Sequence, residues 1–133
     1  MTQTPGHSAR PLSPFLLWRW HITMACSILH RVTGVALYGG ALILAAWAVA
    51  LASGPASYGI FKHVLGSAPG KVVLFGLTVS IFYHLAAGVR HLAWDIGIGL
   101  NPKTSDMTGA ASIAFAIVAS AAVWAIAAIT GAL

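Results

Sequence analysis

Three long apolar runs, approximately Val32–Leu51, Val72–Leu92 and Ala110–Ile129, constrain this chain more than any other feature. Each is close to the roughly 20 residues a helix needs to cross the hydrocarbon of a bilayer. Charged residues make up only 7% of the 133 and hydrophobic ones 59%, whereas a soluble domain carries about 25% charged residues. An all-α membrane protein of three transmembrane helices follows, with spans of about 27–52, 68–95 and 107–130 in a single membrane-anchor domain. Residues 1–26 are expected at the cytoplasmic surface, where Ser13 and Pro14 suit the start of a short interfacial helix and Trp18, Arg19, Trp20 and His21 suit an aromatic and basic belt.

Met1–Arg10 is polar, and the next stretch is interrupted by Pro14, Arg19 and His21, so no secretory apolar core is expected. A net charge of +5 in such a chain speaks of topology, not of nucleic acid. With three spans, Arg10, Arg19, Arg31, Arg90 and Lys103 fall on one side and Lys62 and Lys71 on the other. The positive-inside rule then puts the N-terminus in the cytoplasm. Cys26 is the only cysteine, which excludes internal disulfides and suits a small packing residue.

Against this apolar background, ionisable side chains stand out, because each costs roughly 2.5–3.5 kcal/mol to insert. Tyr83 to Asp95 holds His84, Arg90, His91 and Asp95, and at about 100° per residue His84, His91 and Asp95 share one helical face with Gly88. A glycine there leaves room for a flat, bulky ligand against the backbone. Spacing alone allows two readings of His84, a ligand to a cofactor or a hydrogen bond between helices. On the first span, Ser27, Arg31 and Gly34 lie at i, i+4 and i+7 with His30 at the edge of the same face. Hydroxyl, imidazole and guanidinium at one depth suit a quinone carbonyl or a carboxylate; an interfacial arginine at a helix end is the simpler alternative.

Because the first and second helices run in opposite directions, His30 and Arg31 are expected level with about His91–Asp95, and His84 about 10 Å deeper. Tyr38 and Gly39 are expected beside His84, Gly39 and Gly40 at a close helix approach, and Lys62, His63 and Ser67–Gly70 in a loop without a site. Gly97, Gly99, Asn101-Pro102 and Thr104-Ser105-Asp106 are expected to form a short loop and cap, and the third span to pack without reacting. If His84 held a haem iron, no second histidine of this chain would reach its level, leaving the iron five-coordinate or completed by another polypeptide.

Ser27-Ile-Leu-His30-Arg31-Val-Thr-Gly34 and His84-x-x-x-Gly88-x-Arg90-His91-x-x-x-Asp95 closely resemble the signatures of the cytochrome b subunit of succinate dehydrogenase, a membrane anchor of respiratory complex II. Arg10-Pro11-Leu12-Ser13-Pro14 resembles that family's N-terminal motif, although Phe15 stands where relatives commonly have histidine and Trp18 and Trp20 replace a less bulky pattern. The resemblance implies that His84 is an axial ligand of haem b, the other coming from the second membrane-anchor subunit. It implies His30, Arg31 and His91 near the haem propionates, and Ser27 and Arg31 in a ubiquinone pocket completed by the iron–sulfur subunit. It further implies a flavoprotein subunit that oxidises succinate. The short length and the absence of a transit-like segment lead us to expect a bacterial inner membrane rather than a mitochondrial one. An anchor of a fumarate reductase and a cofactor-free membrane scaffold are the alternatives.

Overall fold

The computed structural model describes residues 20–132, which form four helices and no strand. They are α1 (Ile22–Ala52), α2 (Pro55–Gly66), α3 (Ala68–Asp95) and α4 (Pro102–Ile129). Of these, α1, α3 and α4 are long and apolar enough to cross a membrane. The expected N-terminal interfacial helix lies largely outside the described residues. Within them, Trp20 and His21 precede α1, with His21 extended at the N-cap.

Each helix runs past its apolar run because local signals set its ends. Asn101 caps α4 by accepting from the Lys103 amide at 3.0 Å, with Pro102 in the first turn, so Thr104, Ser105 and Asp106 lie inside the helix. Gly97 and Gly99, at φ of 79° and 80°, make the left-handed turn between α3 and α4 that a side chain would resist. The segment expected to be a loop around Lys62 and His63 is instead α2, begun by Gly54-Pro55, with Tyr58, Phe61 and Leu65 half-buried along one stripe. That short 3.6-residue periodicity is hidden between two stronger apolar runs.

The bundle is built inside-out relative to a soluble protein. Large aliphatic side chains such as Val35, Val72 and Ile129 face outward, while the interior holds Cys26, Thr33, Ser80, Tyr83, Ala87, Arg90, Ser105, Gly109, Ser112, Ala116 and Ser120. On α3 the buried positions 80, 83, 87 and 90 repeat at three and four residues, and on α4 positions 105, 109, 112, 116 and 120 do nearly the same. Small side chains along both seams let the backbones approach, which is how helices associate where lipid is as apolar as leucine. Ser80, Ser112 and Ser120 return their hydroxyl protons to the carbonyl one turn back, so no polar atom of theirs is stranded.

Three helices meet at Gly109. A Cβ there would stand 2.9 Å from Cys26 Sγ on α1 and 3.8 Å from Arg90 Nη2 on α3. Beside it, the Tyr83 hydroxyl donates to the Cys26 carbonyl at 2.8 Å and ties α3 to α1. Cys26 is thus a buried packing residue, as expected. Gly40 also lies at a close approach, against Leu77, whereas Gly39 faces open space. Replacing Gly109 with valine should overpack this junction by about 1–3 kcal/mol and lower the thermal midpoint followed by circular dichroism in detergent, with Gly109→Ala between valine and the natural protein.

Candidate functional site

Alpha-helical geometry separates His84 and His91 by two turns on α3, and His30 of α1 enters the space between them. The His30 ring stacks on His84 at a centroid distance of 4.1 Å and an angle of 20°, and on His91 at 5.0 Å and 16°. Three imidazoles therefore form one column along the α1–α3 interface. The Trp94 indole meets His91 edge-on at 4.9 Å and continues it.

This register differs from the expected one. Beside His84, α1 presents His30, Thr33 and Gly34, not Tyr38 and Gly39. Tyr38 is 72% exposed. The expectation took the apolar runs to begin at equal depth, but α1 is helical from Ile22 and the Tyr83 to Cys26 bond fixes how far it slides. A second histidine of this chain thus does reach the level of His84. It lies face to face with that ring, beside it rather than across from it, so the two do not form an opposed axial pair. Nor do the three rings form a chelate: among the described residues no group of three or more His, Cys, Asp or Glu is placed to hold an ion.

Each ring has a distinct hydrogen-bonding state. Nδ1 of His84 lies 3.2 Å from Thr33 Oγ1, and its Nε2 has no hydrogen bond among the described residues. Nδ1 of His91 donates to the Ala87 carbonyl at 2.7 Å, which leaves its Nε2 with the lone pair in the neutral ring. Nε2 of His30 is buried with no partner among the described residues. A stranded buried nitrogen costs about 1–3 kcal/mol, so packing of these helices against one another does not by itself account for the placement of this ring. A Cβ on Gly88 would meet nothing within 4 Å, whereas one on Gly34 would come 3.3 Å from His84 Cε1. Free nitrogens and open space at Gly88 fit a bulky metal-bearing ring that accepts a lone pair.

Ser27 and Arg31, one turn apart on α1, are exposed, and no hydrogen bond or ion pair engages either among the described residues. Asp95 is exposed at the end of α3. Arg90 is the opposite case. Only 8% exposed, it donates from Nη2 to Ser105 O at 3.1 Å and Ser105 Oγ at 2.8 Å, and from Nε to Thr108 Oγ1 at 3.2 Å. Its guanidinium also sits 4.0 Å over the Trp94 ring. Sequence reasoning missed this role, although the 80, 83, 87, 90 spacing carried the signal. A hollow of about 630 Å³ between α1, α3 and α4 is lined by Leu37, Gly40, Trp47, Leu77 and Trp124. It lies in the other half of the bundle and holds no ionisable group.

The family model for succinate dehydrogenase/fumarate reductase transmembrane subunits matches residues 7–123, a range that includes all three histidines, Ser27 and Arg31. The chain belongs to this family. It is 36% identical to the succinate dehydrogenase cytochrome b556 subunit of Rickettsia felis over 127 residues, covering 93% of this chain and 99% of the relative. The Paracoccus denitrificans cytochrome b556 subunit is 36% identical over 110 residues, with 82% and 85% covered. The mitochondrial cytochrome b560 subunit of Mus musculus is 36% identical over 116 residues, with 85% and 69% covered. The kinship suggested by the two motifs thus holds across nearly the whole chain, and with it membership of an enzyme complex and of a membrane.

Within this transmembrane subunit, adjacent residues of one motif do different work. Arg90→Leu should lower stability by at least about 1.5 kcal/mol through lost charged hydrogen bonds to α4, seen as a reduced thermal midpoint in detergent. His91→Ala, at an exposed position whose ring stacks on His30 and meets Trp94, should cost less, about 0.5–1.5 kcal/mol, with a correspondingly smaller drop in the midpoint.

Proposed function

We propose that this chain is the membrane-anchor cytochrome b subunit of a succinate:quinone oxidoreductase, co-ligating haem b and forming part of a ubiquinone-reduction site. The observation that carries the reading is the imidazole column: His84 has an uncommitted Nε2 at a helix interface, next to an unsatisfied nitrogen of His30. His84 would hold the haem iron through its free Nε2, together with a residue of the second membrane anchor. His30, His91 and Arg31 would meet the propionates, whose charges need hydrogen-bond donors or cations. Held there, haem b would supply reversible one-electron storage.

The outward faces of Ser27 and Arg31 suit a pocket shared with neighbouring subunits. The Ser27 hydroxyl donates a hydrogen bond to a quinone carbonyl and orients the ring. Arg31, permanently charged, stabilises the negative charge that grows on a quinone oxygen as it is reduced. Neither side chain must reorganise its bonds within this chain to do so. Electrons reach the quinone from succinate through a flavoprotein and an iron–sulfur subunit, the partners such an anchor holds at the membrane. Relatives named for succinate dehydrogenase favour this direction over fumarate reduction. Bacterial relatives favour a bacterial plasma membrane, with the N-terminus cytoplasmic by charge bias.

Two substitutions in the assembled complex test the reading. Arg31→Leu should reduce quinone reduction on the order of 10²-fold while leaving succinate oxidation by a soluble artificial acceptor intact; equal loss of both activities would contradict the assigned role. His84→Leu should abolish or strongly alter the visible haem spectrum. An unchanged spectrum removes His84 from the ligand set, and a purified natural complex without any haem band identifies a cofactor-free scaffold.

A further inference from the structure

We propose that Thr33 is a positioning residue that sets the tautomer of His84, so that Nε2 carries the lone pair aimed at a metal. The proposal rests on the reading of His84 as a ligand and concerns what prepares it. Thr33 is 8% exposed, on the face of α1 that meets α3. Its Oγ1 lies 2.8 Å from the Leu29 carbonyl and 3.1 Å from the His30 carbonyl, both pure acceptors. Two oxygens at 2.8 Å with no hydrogen between them repel, so the one hydroxyl proton of Thr33 is committed to that side. What Thr33 turns toward His84 Nδ1, 3.2 Å away, is a lone pair.

Only a protonated Nδ1 makes that contact favourable. In a neutral imidazole the other nitrogen is then bare. The opposite tautomer would set two lone pairs against each other at 3.2 Å in a buried, water-poor interface, where unsatisfied polar groups are most costly. The ring's position is held as well: the His30 ring lies over one face at 4.1 Å, and Gly34 admits Cε1 where a Cβ would stand only 3.3 Å away. His91 gains the same tautomer from the Ala87 carbonyl of its own helix. His84 gains it from α1, so the lone pair is prepared only when the two helices dock. Histidines that bind metals generally donate their other N–H to such an acceptor, which raises ligand basicity.

The test uses the assembled complex carrying Thr33→Val, which keeps the shape without the hydroxyl, and Thr33→Ser, which keeps the hydroxyl. Haem midpoint potential is followed by optical redox titration, and haem retention by its content after detergent washing. Thr33→Val should move the potential positive and weaken retention about tenfold, with Thr33→Ser at natural values. Unchanged potential and retention in Thr33→Val, or a serine variant that matches valine, overturns the proposal. Should Thr33→Val not assemble, ¹⁵N resonances of histidine-labelled, haem-depleted natural complex decide. A protonated Nδ1 and bare Nε2 at His84 support the assignment, and the reverse tautomer overturns it. The ligand reading fails separately, through an unaltered haem band in His84→Leu, whatever the ¹⁵N resonances show.

Discussion

The junction of Cys26, Tyr83, Arg90 and Gly109 governs the rest of this bundle. In hydrocarbon the hydrophobic effect gives helices little reason to associate, so their relative positions rest on close backbone approach and on polar bonds that must be made. Gly109 lets α1 and α3 converge on α4, the Tyr83 hydroxyl fixes α1 along its axis, and Arg90 staples the start of α4 to the end of α3. Remove the junction and His30 has no reason to stand between His84 and His91. The histidine column is thus a result of helix register, set by residues that lie outside it.

That division of labour explains what was legible beforehand. Three apolar runs revealed the three long helices, because a span must be long and uncharged wherever it sits. His30, His84 and His91 stood out because imidazoles are rare in such surroundings. The register was not legible: it depends on a hydroxyl reaching a carbonyl 57 residues earlier, and depth matching from apolar runs put Tyr38 where Thr33 and Gly34 belong. Likewise Arg90 looked like a member of the same functional group as His91. One residue turns about 100° around a helix, enough to send the first into the α4 seam and the second to the open side.

Helix α2 escaped notice for a related reason. Its twelve residues carry lysine, histidine and two glycines, a composition common in loops, and only the half-buried stripe of Tyr58, Phe61 and Leu65 argues otherwise. Third-span reasoning was right that α4 packs, yet α4 is also where Arg90 finds its acceptors. A segment without chemistry of its own still decides which neighbouring side chains remain free to have any.

The outward cation on α1 bears on how this subunit is made. Arg31 meets no counter-charge among the described residues, so a copy that entered the bilayer alone would turn a guanidinium toward acyl chains, a penalty of roughly 2.5–3.5 kcal/mol on insertion scales. Such a copy would have to tilt, or thin the bilayer around it, to bring that charge nearer water. The cation proposed above to meet a quinone is therefore also a cost that a copy without neighbours would bear.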